Sequence, residues 1–291
     1  MKNSDQETLD QSGPQFSRED SSRPGIPAFR QMVLSHYEQY GRDMAWRNTS
    51  GPYQILVSEI MLQQTQVERV TTKFPEFLRA FPDFASLATA PLANVLTVWQ
   101  GLGYNRRAIA LQKCAIRVMN EYDGILPADV DILATFPGIG RATASSIAAF
   151  AFNMPVVFIE TNVRRVFIHF FFADTDTVSD AEILPLVEEA LYCENPRVWY
   201  WALMDLGTAL KKTTPNPNRR SVHYTQQSPF EGSDRKIRGS ILKLLLKQQF
   251  LDEVEIIGCV AEDPHRVRRI LSVLEAEGFI EHRGNGFVPA E

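Results

Sequence analysis

Two carboxylates occupy settings that could do acid–base chemistry. Glu59 lies within the apolar run Pro52-Tyr-Gln-Ile-Leu-Val-Ser-Glu-Ile-Met-Leu62. On a helix, Ile55, Ile60 and Leu62 would shield it from bulk water. A desolvated carboxyl has a raised pKa, and a carboxylic acid that stays protonated near neutral pH can act as a general acid. The alternative is a helix-face glutamate that reaches solvent. Gln63, Gln64 and Thr65 follow, neutral groups suited to reading polar edges, or ordinary helix-end polars. Glu160 ends a second apolar run, Pro155-Val-Val-Phe-Ile-Glu160, followed by Thr161, Asn162 and a helix opening with Arg164 and Arg165. There it could react, or simply favour the helix dipole, with Thr161 or Asn162 as the N-cap. A third segment, Phe136-Pro-Gly-Ile-Gly-Arg-Ala-Thr143, joins two helical stretches through a tight turn. Its glycines allow close backbone approach, and amides at a helix start bind phosphate. The wider pattern is that of a hairpin between helices that grips a DNA backbone without reading bases.

Short helices must position these groups. Phe29, Met32, Val33, Tyr37 and Tyr40 recur at helical spacing, as do Val67, Val70, Phe74, Phe77 and Leu78. Proline and glycine punctuate residues 27–210 at short intervals and no long alternating strand pattern appears, so an all-α domain is expected there. Residues 1–26 are rich in Ser, Gln, Asp and Pro and read as a disordered tail. Residues 211–232 are polar, proline-containing and basic, and read as a linker. In 233–291 a helix carries Ile237, Ile241, Leu244 and Leu245, an apolar stretch runs from Val254 to Val260, and a further helix carries Val267, Ile270, Leu271 and Leu274. Two short strands around Gly284-Asn-Gly286 then complete a winged-helix order. That fold docks proteins as often as it reads DNA.

The chain has 291 residues, 44% hydrophobic and 22% charged, a soluble globular composition. With no long apolar run, neither a membrane span nor a secretory signal is expected. Three dispersed cysteines, Cys114, Cys193 and Cys259, argue for a reducing cytoplasm and exclude a four-cysteine metal site. The net charge is −5, yet residues 211–240 carry seven basic and two acidic side chains. That stretch reads equally well as a solvated linker, so charge does not decide the partner; if the partner is DNA, binding is expected to depend steeply on salt.

Together these segments resemble the adenine-specific mismatch DNA glycosylases, the MutY family of the helix-hairpin-helix (HhH-GPD) glycosylase superfamily. The resemblance runs from about Tyr40 to Gly207. It rests on Gly41-Arg-Asp-Met-Ala-Trp-Arg47, Val57-Ser-Glu-Ile-Met-Leu-Gln-Gln-Thr65, Trp99-Gln-Gly-Leu-Gly-Tyr104, the Pro137-Gly-Ile-Gly140 hairpin and Met204-Asp-Leu-Gly207. Residues from Phe230 onward resemble the short C-terminal extension of some members. The resemblance implies a two-lobed helical glycosylase domain with a small winged-helix-like domain after it, acting as a monomer on mismatched double-stranded DNA. It implies that one nucleotide is flipped from the duplex and its N-glycosidic bond hydrolysed, a problem that calls for two carboxyl groups. Glu59 is then the acid that protonates the departing base, and Glu160 holds the place of the second carboxylate. Gln64 and Tyr104 match residues that wedge into the base stack. Arg42, Met44, Arg47 and Asn162 align with the base pocket and its surroundings. Gly138, Ile139, Gly140 and Arg141 would hold phosphate, and hairpin carbonyls of this family can coordinate a monovalent cation; no other metal is implied.

This sequence departs from the family pattern in several places. The second carboxylate is normally aspartate; the extra methylene of Glu160 moves it by roughly 1.5 Å, a misplacement that can cost ~100-fold in rate. Lys211, Asn218, Ser221 and Gln227 stand where iron–sulfur cysteines are expected, so the chain resembles clusterless members and no cofactor is expected. Segment 211–222 could supply DNA contacts instead. The winged-helix-like end is too short for the large C-terminal domain that recognises 8-oxoguanine in longer members, so that domain is not expected. Ala142 replaces the nucleophilic lysine of lyase-competent relatives, which favours monofunctional hydrolysis by water. Removal of adenine opposite guanine or 8-oxoguanine is expected. The alternatives are uracil, thymine or another deaminated base opposite guanine, or a weakly catalytic DNA-binding protein.

Overall fold

A computed structural model describes residues 23–226 and 229–290. The expected tail lies, up to residue 22, outside the described residues. In chain order the elements are α1 (Ile26–Tyr40), a 3₁₀ turn (Ala45–Arg47), α2 (Pro52–Leu62), α3 (Val67–Ala80), α4 (Phe84–Thr89), α5 (Leu92–Trp99), α6 (Arg106–Glu121), α7 (Val130–Leu133), α8 (Arg141–Phe152), α9 (Thr161–Phe171), α10 (Asp180–Ala190), α11 (Pro196–Thr213), a second 3₁₀ turn (Pro217–Arg220), α12 (Asp234–Gln248), β1 (Leu251–Asp252), α13 (Glu253–Val260), α14 (Pro264–Ala276), β2 (Ile280–Arg283) and β3 (Gly286–Pro289). Among the described residues no helix is long and apolar enough to cross a membrane.

Local chemistry fixes the boundaries. Asp83 and Ser86 form a reciprocal capping box at the start of α4. Asn195 accepts from Val198 N at 3.2 Å, with Pro196 in the first turn of α11. Asp263 caps α14 in the same way, followed by Pro264.

The chain folds as two compact units. The first comprises residues 23–42 and 153–225, with α1, α9, α10 and α11. Phe29 is fully buried and meets Phe167, Phe171 and Trp199 edge-on. Arg30 donates to the carbonyls of Glu189 and Ala190, closing the C-terminus of α10. Residues 211–222, expected to be part of a linker, are folded into this unit. Lys211–Thr213 finish α11, Pro217 and Asn218 are buried, and Ser221 bridges to Val178. Arg220 donates to the carbonyls of Ile168, Phe172, Ala173 and Thr175, at and beyond the end of α9. Charge and proline marked this segment as loose, but carbonyls left by a helix end demand donors.

The second unit comprises residues 43–152 and 226–290, holding α2–α8 together with α12–α14 and the sheet. Its core includes Leu56, Ile60, Phe77, Trp99 and Leu111, all fully buried. The apolar stretch at Val254–Val260 is helical, and the winged-helix order gains a strand. β1 pairs antiparallel with β3 through Leu251↔Phe287, and β3 pairs with β2 through Ile280↔Pro289. A two-residue strand has too little pattern to be read in advance.

Candidate active site

In the second unit, α2 buries every residue from Ile55 to Met61 except Glu59, which is partly exposed. Ser146 on α8 contacts Glu59 Oε2 through its Oγ at 2.5 Å, and that Oγ also lies 2.9 Å from the Thr143 carbonyl oxygen. A serine hydroxyl has one proton. When it goes to the Thr143 carbonyl, the short contact with Glu59 is a hydrogen bond only if Glu59 carries the proton. When Glu59 is ionised, the hydroxyl can turn to it. The pair therefore accommodates both states of a proton donor, while the carboxyl stays partly exposed. Ser146 was not singled out from sequence; its place one turn beyond Ala142, in a helix starting beside the hairpin, was the available signal.

The turn after α2 and the turn before α6 carry the two expected wedge residues. Gln64 (φ 55°) and Tyr104 (φ 49°) both adopt left-handed backbone, which costs a non-glycine residue of order 1 kcal/mol unless its surroundings impose it. Arg107 imposes both. It donates to the carbonyls of Ile60 (2.7 Å) and Met61 (2.8 Å), to Thr65 Oγ1 (2.9 Å), and to the carbonyls of Leu102 (3.3 Å) and Gly103 (2.9 Å). Burial lowers its guanidinium pKa to about 10, so it remains charged at neutral pH. Trp99 Nε1 adds a bond to the Gly103 carbonyl at 3.1 Å. Of the expected polar trio, Gln63 is drawn to the Gly138 carbonyl and Thr143, Thr65 is held by Arg107, and only Gln64 is exposed.

The hairpin follows. Gly138 has φ 73°, and a Cβ there would stand 2.9 Å from that of Ala110, so only glycine fits. The Ile139 side chain is buried and its N–H donates to the Phe136 carbonyl, so neither is offered to phosphate. Gly138 and Gly140 are exposed, and with them stand the first-turn amides of α8, which have no partner within the helix. Arg141 is exposed and pairs with Asp131 across the hairpin. In the same unit Met44 is buried and Arg47 is partly exposed around the first 3₁₀ turn.

In the first unit, Glu160 is itself the N-cap of α9, not Thr161 or Asn162. Its Oε1 accepts from Asn162 N at 2.8 Å and Val163 N at 2.9 Å, and its Oε2 accepts from Asn162 Nδ2 at 3.3 Å. The longer side chain bends back to cap, a role that residue preference assigns to shorter ones. Desolvation raises the pKa of Glu160, opposed by those amides and by Arg165 and Arg164. Arg165 is buried and donates to Asn162 Oδ1 (2.6 Å) and the Gly207 carbonyl (2.7 Å). A Cβ at Gly207 would meet Asn162 Cβ and O at 2.7 Å, so the glycine lets α11 approach the cap. Buried Asp205 holds Arg42, accepting from its backbone N at 2.8 Å and its Nε at 2.7 Å.

The positions aligned with cluster cysteines do not fit a thiolate-held group. Lys211 is exposed on α11, Asn218 donates to the Thr161 carbonyl, Ser221 lies in the bridge to Val178, and Gln227 lies outside the described residues. Among the described residues no cluster of His, Cys, Asp and Glu could hold a metal ion.

Residues 57–187 match the HhH-GPD superfamily of base excision DNA repair proteins. The chain is 32% identical over 284 residues to an adenine DNA glycosylase of Mycobacterium tuberculosis, covering 87% of this chain and 90% of the relative. It is 34% identical over 273 residues to that of Mycolicibacterium smegmatis, covering 87% and 93%. Among solved structures, a thermostable thymine-DNA glycosylase superposes with TM-score 0.59 at 25% identity, over 62% of this chain and 85% of that one. An endonuclease III–DNA complex shares the fold, with TM-score 0.54 at 20% identity over 71% and 91%.

Proposed function

The chain belongs to the adenine DNA glycosylases of the HhH-GPD superfamily, and from that premise we propose that it hydrolyses the N-glycosidic bond of adenine mispaired with guanine or 8-oxoguanine. The observation that carries the reading is the Glu59–Ser146–Thr143 hydrogen-bond chain, in which the serine hydroxyl can pair with the carboxyl before and after it gives up a proton. With the nucleotide flipped out, Glu59 gives that proton to the adenine ring as the C1′–N bond breaks, and the bonding electrons leave with the base. Water adds to the resulting oxocarbenium carbon and loses a proton. Glu160, with its raised pKa, is a stronger proton acceptor than an ordinary glutamate and suits that step.

Gln64 and Tyr104 enter the base stack, Asn162 orients Glu160, and Arg42, Met44 and Arg47 border the base. Phosphate is held at Gly138, Gly140 and the first turn of α8, with Arg141 beside them. Ala142 offers no amine to attack the sugar, so the product is an abasic site without lyase cleavage. The enzyme works as a cytoplasmic monomer without an iron–sulfur cluster.

The test is a single-turnover assay on duplexes carrying adenine opposite 8-oxoguanine or guanine, and uracil or thymine opposite guanine, with alkaline cleavage afterwards. Adenine release that Glu59→Gln abolishes is expected. Release of uracil or thymine alone would overturn the substrate, and tight binding without release from any duplex would overturn the catalytic reading.

A further inference from the structure

The C-terminal module is fastened to the loop that carries Tyr104, within one compact unit. Arg235, in the first turn of α12, donates from Nη1 to the Tyr104 hydroxyl at 2.7 Å, and its guanidinium carbon lies 5.7 Å from the centre of that ring. Two residues further on, at the start of α6, Arg106 donates to Glu277 at the end of α14, with Nε at 2.9 Å from Oε2. Arg238, one turn beyond Arg235, grips the same carboxylate. The loop is thus held from outside at Tyr104 and at Arg106, and from inside by Arg107. The arginines of α14, the helix that a winged-helix fold would offer to a DNA groove, are engaged within the module. Arg266 and Arg269 pair with Asp234, and Arg268 pairs with Glu253.

We propose that Arg235 is a positioning residue for Tyr104, holding the ring in the orientation that enters the base stack, so that the C-terminal module acts on the duplex through this loop. The inference rests on the reading of Tyr104 as a wedge. The left-handed backbone at Tyr104 sets where the side chain leaves the loop, but its ring can still turn about Cα–Cβ. A guanidinium bonded to the hydroxyl removes that freedom before DNA arrives, so less ordering remains to be done on binding.

The experiment uses the full chain and a duplex with adenine opposite 8-oxoguanine and 2-aminopurine stacked beside the pair, whose fluorescence rises on unstacking. Arg235→Met is expected to weaken binding of this duplex about tenfold, the effect of one charge-assisted hydrogen bond, while binding to an undamaged duplex stays unchanged. Tyr104→Phe, which removes only the hydroxyl, should produce a similar loss, and the double variant should lose no more than either alone. Arg235→Lys should recover part of the signal. Additive losses, or an equal weakening on undamaged DNA, would make Arg235 a phosphate contact and overturn the proposal. If Tyr104→Ala abolishes unstacking but Arg235→Met changes nothing, positioning fails while the wedge survives. If Tyr104→Ala leaves unstacking intact, the wedge reading itself fails.

Discussion

Glu59 and Glu160 call for different experiments because their surroundings differ. Glu59→Gln keeps the shape of the side chain but cannot lose a proton to the base, so turnover should fall by about 10²–10⁴ with duplex affinity preserved. Ser146→Ala takes away a hydrogen bond to Glu59, worth about 1 kcal/mol. It should slow the single-turnover rate by about fivefold without weakening DNA binding; an unchanged rate would remove Ser146 from the reaction. Glu160→Ala should cost about 1 kcal/mol of stability, since α9 loses its N-cap. Glu160→Asp restores a good cap with a shorter reach, so its Tm should match the parent. Its rate on adenine then reports the reach alone, rising if the longer side chain is a handicap and falling if the pocket is built for it. The folded pKa of Glu160 lies above its ordinary value, so the stability it lends is fully present below that ordinary value and is lost as pH rises through the folded one. Glu160→Gln should flatten that decline in a series of denaturation midpoints against pH.

Between elements, two contacts are open to equally direct tests. Gly207→Ala places a methyl within 2.7 Å of Asn162 backbone and side-chain atoms. It should destabilise the fold by about 1–3 kcal/mol and slow catalysis by displacing the start of α9. Glu277 joins α14 to α12 and α6, and its hydrogen bond from Arg106, reinforced by Arg238, brings its pKa down to about 2. Because that folded value lies below the ordinary one, its contribution is present above the ordinary pKa of about 4.3 and fades as pH falls from there toward 2. Acid titration of the wild type against Glu277→Gln should show the two stabilities converging over that interval, and parallel curves would deny the clamp. Of the helices that these contacts join, α12 and α14 were legible from spacing, as with Ile237 and Ile241 or Ile270 and Leu274. The clamp was not, because Arg106 and Glu277 are far apart in sequence and each reads alone as an ordinary surface charge.

For the whole molecule, the expected steep salt dependence must be scaled to the cations that the fold leaves outward. Of the basic residues in 211–240, Arg220 serves backbone carbonyls, Arg235 meets Tyr104, Lys236 pairs with Glu231 and Arg238 pairs with Glu277. Lys211, Lys212 and Arg219 stand exposed. If these three contact phosphate, affinity should fall about 40-fold between 50 and 200 mM salt, and replacing all three with alanine should flatten the slope by close to three. A slope unaffected by those changes would place the phosphate contacts elsewhere. The family, the helical class and the winged-helix order were legible along the chain, because they rest on local periodicity and on motifs whose residues are near neighbours; the same motifs single out Glu59 as the candidate acid. Tertiary structure decided which polar groups remain available. It turned Glu160 into a cap, Arg107 and Arg220 into donors for carbonyls, and the Ile139 amide into part of a turn. The physical reason is that a donor or acceptor left unpaired away from water costs free energy, so most of them find a partner. That partner is chosen by proximity in the folded chain, which spacing along the sequence does not encode.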